Sequence, residues 1–173
     1  MRFKDKSVII TGGGGKIGRA YAMAFAKEGA RVSLPDIASA EHVVKAIRDM
    51  GGTAIAMQCD ITDESSVKAM VDETAKQFGT VDILINNAAY FMTVWKGPFW
   101  EMKVEEFDKA MAVNLRGVWL CAKAAVPYMQ KQKKGKIINI SSSVALTGNP
   151  NYIHYVTSKG GVIAMTRAMA REL

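Results

Sequence analysis

An apolar, β-branched run over residues 7–11 leads directly into Thr11-Gly12-Gly13-Gly14-Gly15-Lys16-Ile17-Gly18, and a helical pattern follows over 17–27. Glycines let a backbone turn tightly and approach an anion closely. A helix starting at such a turn points its free N–H groups, and the positive end of its dipole, at that anion. A strand, a glycine turn and a helix in this order predict one half of a parallel βαβ unit.

The same alternation continues along the chain. The spacing predicts strands over 31–34, 54–57, 81–85 and 136–140, and helices over 38–50, 63–78, 104–132 and 153–173. In the first helix Ile17, Tyr21, Ala24 and Phe25 fall on one face, and in the third Val67, Met70, Val71, Thr74 and Phe78 do. Gly51-Gly52 and Gly79 close the second and third helices, and residues 88–103 read as a loop. Strands alternating with helices predict an α/β fold, a doubly wound parallel sheet of the Rossmann type in three αβα layers, because strand–helix–strand crossovers are right-handed. Ligands of such sheets bind beyond the carboxyl ends of the strands. Residues 1–173 are expected to form one dinucleotide-binding domain.

Composition removes other classes. With 173 residues, 49% apolar and 23% charged, the chain can bury a core and is not disordered. No apolar run approaches the roughly 20 residues that span a bilayer, so no membrane partner is expected. The opening MRFKDKSVII reads as a strand and not as a signal peptide. Cys59 and Cys121 lack metal or disulfide spacing, which predicts buried thiols, a reducing cytoplasmic setting and no metal. The net charge of +7 raises nucleic acid as a partner. The densest patch, Lys131, Lys133, Lys134 and Lys136, has no interleaved aromatics to stack bases and reads as a solvated turn, so none is expected.

Asp36 ends the second strand, 18 residues after Gly18. A carboxylate there accepts hydrogen bonds from an adenosine ribose and repels a 2′-phosphate, which favours NAD over NADP. Near the other end of the chain, Tyr155 and Lys159 stand four apart and share one helical face. An ammonium beside a phenol favours the phenolate, as general acid–base chemistry near neutrality requires. Ser142 closes the fifth strand, but periodicity does not choose among Ser141, Ser142 and Ser143.

The ordered set TGGGGKIG, Asp36, Cys59-Asp60-Ile61, Asn86-Asn87-Ala88-Ala89, Asn114 in VNLRG, NISSS and YVTSK resembles the short-chain dehydrogenase/reductase family from Thr11 to Lys159. The resemblance implies that Tyr155 is the catalytic acid/base and that Lys159 lowers its pKa and bonds the nicotinamide ribose. It implies that Ser142 orients the substrate oxygen and that Asn114 holds, through its helix, a water that relays protons to Lys159. Gly12, Gly14, Lys16, Ile17 and Gly18 would line the pyrophosphate, Asp36 the ribose, and Asp60 and Ile61 the adenine. Asn87 and Ala88 would line the cofactor cleft, with Asn86 bracing the sheet. The implied reaction is hydride transfer between NAD(H) and a secondary alcohol or ketone. The alternatives are an NADPH-dependent 3-oxoacyl-thioester reductase and a non-catalytic dinucleotide-binding protein.

Lys16 stands where the family has its middle glycine, which leaves NADP open, and Ala89 replaces the last glycine of the Asn-Asn-Ala motif. The family continues beyond a point equivalent to Leu173 with further strands, a helix and a substrate-binding segment. The chain is therefore expected to be a fragment of a longer product, incomplete at its C-terminus. The long helices pair subunits in the resembling family, which implies a homotetramer or homodimer. His154 is expected to be exposed or in a pocket wall. Trp95, Phe99 and Trp100 would wall the site, pack an interface or cap the core. Met165 and Met169 are expected to fill core or interface space.

Overall fold

A computed structural model describes residues 1–173. Five strands, β1 (Ser7–Ile10), β2 (Arg31–Asp36), β3 (Thr53–Gln58), β4 (Ile83–Asn86) and β5 (Lys136–Asn139), form one parallel sheet in the order β3-β2-β1-β4-β5. The chain runs outward from β1 to β3, returns to β4 beside β1, and moves outward again to β5. The direction of winding therefore reverses between β1 and β4, and a crevice opens above their carboxyl ends.

Helices α1 (Lys16–Lys27) and α2 (Glu41–Asp49) cover one face of the sheet. Val8, Ile10, Val32, Leu34, Val43 and Ile47 are fully buried between them and the strands. Helices α3 (Glu64–Phe78) and α5 (Gly117–Lys131) cover the other face over Ile9, Leu84, Val71 and Cys121. Each such aliphatic side chain taken from water contributes roughly 1.5–3 kcal/mol. Cys59 and Cys121 are buried free thiols, and burial pushes Cys121 up to about 12.

Local chemistry explains the element ends. Asp63 caps α3 by accepting the amides of Ser65 and Ser66 at 3.1 and 3.2 Å, and Gly79 ends it at φ 81°. All five apolar-face positions expected in α3 are buried. In α1 the buried stripe is Gly18, Ala22 and Ala26 instead of the larger residues beside it, and Ile17 is 60% exposed. The small residues let the helix axis approach the sheet, while Tyr21 and Phe25 pack at its flanks.

The expected helix over 104–132 is divided. It consists of α4 (Val104–Met111), a π turn over Ala112–Arg116, and α5. A short helix α6 (Val144–Thr147) precedes α7 (Ile153–Glu172). The loop after β4 contains one 3-10 turn, Phe99–Glu101. No helix is long and apolar enough to cross a membrane.

Candidate active site

The glycine turn is held from below. The amides of Gly12 and Gly13 donate to the Pro35 carbonyl at 2.9 and 3.3 Å, and Gly12 sits at φ +66°. A Cβ on Gly18 would stand 2.2 Å from the Gly12 carbonyl oxygen, so the turn closes only around glycine. Helix α1 starts on Gly15 with no side-chain cap, leaving its first amides open to an anion. Lys16 and Ile17 are exposed at this end. Asp36 accepts the Gly14 amide at 2.9 Å and the Ala38 amide at 3.0 Å, which places its carboxylate on the rim of the turn.

Thr11 is a junction that sequence reasoning did not single out. Its buried hydroxyl accepts the amides of Asn87 and Ala88 at 3.0 and 3.1 Å, and Asn87 Nδ2 donates back to the Thr11 carbonyl at 2.9 Å. These bonds fix the spacing between the carboxyl ends of β1 and β4. Its signal was the position itself, a hydroxyl at the last residue before the turn. Asn86 is buried and donates across the sheet to Asn139 Oδ1 at 2.8 Å. Asn139 donates in turn to Thr166 of α7 at 2.9 Å.

Asp60 is exposed and its carboxylate accepts the amide and hydroxyl of Thr62, both at 2.8 Å. Ile61 lies in the core on the α5 side, against Gly117, so its side chain is not in the crevice.

On the other side of the crevice, β5 and α7 bring three expected residues together. Tyr155 is 9% exposed and Lys159 2%, with the Lys159 ammonium 5.8 Å from the Tyr155 ring centroid. Burial pushes the Tyr155 phenol above its usual range, and a hydrogen bond with Ser142 opposes that. Lys159 donates to the Ile140 carbonyl at 2.7 Å, and burial lowers it to about 8. The expectation that the ammonium lowers the phenol's pKa is not met here, because burial acts on both groups and the ammonium is turned to a carbonyl. Ser141 donates to the Lys159 carbonyl at 2.8 Å, which leaves Ser142 as the hydroxyl beside Tyr155.

Asn114 is fully buried in the π turn. Its Oδ1 accepts the Tyr90 amide at 2.7 Å, and its Nδ2 donates to the Tyr90 carbonyl at 3.1 Å and to Ser158 Oγ at 3.2 Å. Ser158 donates to the Tyr155 carbonyl at 2.8 Å. A π turn interrupts the regular i→i−4 ladder, and such turns recur at functional sites.

Phe91, which periodicity did not flag, packs on Tyr155 with ring centroids 4.6 Å apart and is 41% exposed. Phe99 and Trp100 are 62% and 73% exposed and so do not cap the core. Trp95 is partly buried. His154 is fully buried, which excludes the exposed alternative. Burial lowers its imidazole, and the Glu106 carboxylate opposes that.

The glycine cradle, the uncapped helix and the Asp36 carboxylate fit a dinucleotide. The comparisons agree in kind. Residues 6–173 match the family described as short chain dehydrogenase. A 3-oxoacyl-(acyl-carrier-protein) reductase FabG of Staphylococcus aureus is 40% identical over 171 residues, covering 97% of this chain and 68% of that protein. The protein of the same description from Thermotoga maritima is 37% identical over 175 residues, covering 100% and 70%. A crystal structure of levodione reductase superimposes with TM-score 0.94 at 35% identity, covering 99% of this chain and 67% of that one. A structure of NAD+-bound xylitol dehydrogenase gives TM-score 0.92 at 32% identity, covering 99% and 66%. The chain belongs to the short-chain dehydrogenase family, a family of oxidoreductases that bind a nicotinamide dinucleotide.

Proposed function

We propose that this chain carries the catalytic half of an enzyme that reduces a ketone, or oxidises the matching secondary alcohol, with Tyr155 as the proton-transfer group. One observation carries the reading: the Tyr155 phenol is buried beside Ser142, with Lys159 one helical turn on, at the carboxyl end of β5. In reduction the carbonyl carbon takes a hydride, the one contribution of the dinucleotide. The carbonyl oxygen takes the proton of Tyr155. Ser142 donates to the same oxygen and holds it against the phenol. Lys159, whose ammonium bonds the Ile140 carbonyl and stands 5.8 Å from the Tyr155 ring centroid, would supply the positive charge that favours the phenolate left behind. Asn114 fixes the turn of α7 that carries the phenol.

Gly12, Gly14, Lys16, Ile17 and Gly18 would hold the pyrophosphate, Asp36 the adenosine ribose, and Asn87 and Ala88 the cleft wall beside the nicotinamide. Asp60 would meet the adenine, and Ile61 only through its backbone.

The names of the relatives favour a 3-oxoacyl thioester as the substrate, at 37–40% identity over nearly the whole chain. A second reading, NAD-dependent oxidation of a small secondary alcohol, is favoured by the Asp36 carboxylate on the rim of the turn. An acetoacetyl thioester and a panel of secondary alcohols, each tested with NAD(H) and NADP(H), separate the two. Tyr155→Phe is expected to lower kcat at least about 100-fold, the scale of a lost general acid, with dinucleotide affinity retained. Unchanged turnover in that variant overturns the assignment. A homo-oligomer would cover the exposed Phe99, Trp100, Val104 and Ile153, and sedimentation of the full-length protein tests it.

A further inference from the structure

Tyr90 is gripped at both ends by one stretch of helix. Its backbone N–H and carbonyl bond the two ends of the Asn114 carboxamide at 2.7 and 3.1 Å. Its side chain runs back along α4. The phenol has one proton, and the shorter of its two bonds goes to Glu106 Oε2 at 2.9 Å, with the Thr93 carbonyl at 3.2 Å. Lys109 Nζ stands 4.4 Å from the ring centroid. Glu106 and Lys109 lie three residues apart, on the same face of α4.

Of the adjoining residues Ala89, Met92 and Thr93 are exposed, and Phe91 packs on the Tyr155 ring; none of these side chains hydrogen-bonds α4. A carboxamide held by a loop backbone is only as ordered as that loop. With the ring free, the loop can drift and leave the Asn114 amide buried without its partners, at a cost of about 1–3 kcal/mol per orphaned group.

We propose that Tyr90 is a positioning residue whose phenol, fixed on Glu106, holds the Asn114 carboxamide and through Ser158 the turn of α7 that presents Tyr155. This rests on the reading of Tyr155 as the proton-transfer group. In this role Tyr90 acts through Asn114, not on the reacting groups.

The test uses Tyr90→Phe, Glu106→Leu and Glu106→Gln in the full-length protein. The readouts are amide hydrogen exchange at Tyr90, kcat, and dinucleotide affinity by fluorescence. Tyr90→Phe and Glu106→Leu are each expected to speed exchange of the Tyr90 amide and to lower kcat about tenfold, the scale of one hydrogen bond to a charged group. Dinucleotide affinity should change less than about twofold, because only the reacting geometry is disturbed. Glu106→Gln retains an acceptor and should behave as the parent. The Tyr90→Phe/Glu106→Leu pair should be no worse than either change alone, as for two ends of one contact.

Unaltered exchange at Tyr90 in both single variants overturns the tie. Faster exchange with a parental kcat, in a protein where Tyr155→Phe is inactive, overturns the positioning role and leaves the reaction intact. Full turnover in Tyr155→Phe overturns the reaction itself, and the proposed role of Tyr90 in presenting that phenol with it.

Discussion

Gly18 shows how one missing carbon sets a binding site. The Gly12 carbonyl would lie 2.2 Å from its Cβ, and Gly13 Cα 2.9 Å, both backbone atoms that cannot swing aside. Gly18→Ala should therefore destabilise the protein by at least about 1–3 kcal/mol, the usual cost of overpacking, and abolish dinucleotide binding. Gly15→Ala is the control, since its nearest neighbour would be 3.5 Å away. Thermal melts with and without dinucleotide compare the two. A Gly18→Ala protein that binds as the parent does would show the turn to be more open than its geometry.

Lys159 gives a second residue-scale test. It is 2% exposed, and burial lowers it to about 8. The folded protein then disfavours the charged lysine, so the cost is full below pH 8. It is relieved as pH rises toward the unfolded lysine value near 10.4. The relief is about 3 kcal/mol across that window. Denaturant titrations of the parent and Lys159→Met should diverge by this much, the parent gaining stability relative to the variant as pH rises. Parallel curves would mean that the ammonium is better solvated than its burial implies.

The pairing of Tyr155 with Lys159 was legible in the sequence because four residues on a helix fix a shared face whatever surrounds it. The choice of Ser142 over Ser141 was not legible from the residues alone, since it depends on Ser141 reaching the Lys159 carbonyl of another element. Nor was the sign of the phenol's shift, which follows from burial.

At the scale of elements, polarity patterns told where helices lie better than which face they bury. Helix α3 met expectation at every apolar position. Helix α1 did not, because close approach to the sheet selects small residues over large ones, and a hydrophobicity pattern ranks them the other way. The π turn at Ala112–Arg116 was hidden for a related reason. Within it Asn114 bonds Tyr90 and Ser158, segments that meet only in the fold.

Asn114→Leu keeps the branched shape and removes those bonds. The Tyr90 amide and carbonyl then lose their partner, and the loss should be about 2–6 kcal/mol for two orphaned groups. Turnover should fall with it, while dinucleotide still binds at the glycine turn. A variant as stable as the parent would mean that the π turn is set by the packing of α4 and α5 and not by the asparagine.

Across the whole molecule the sheet order was legible in kind, as a doubly wound parallel fold, because each crossover has one hand. The site follows from that order. The dinucleotide cradle rises from β1 and β2, while Ser142, Tyr155 and Lys159 follow β5 on the far side of β4. Strands β1 and β4 are buried at every position. Segments so buried open only with the whole molecule. Amides of β1 and β4 should therefore exchange only on global unfolding. Dinucleotide at about 100 times its Kd should slow them about 100-fold in the full-length protein, the full linkage effect. A much smaller slowing would mean that these strands open locally while the cradle still holds its ligand.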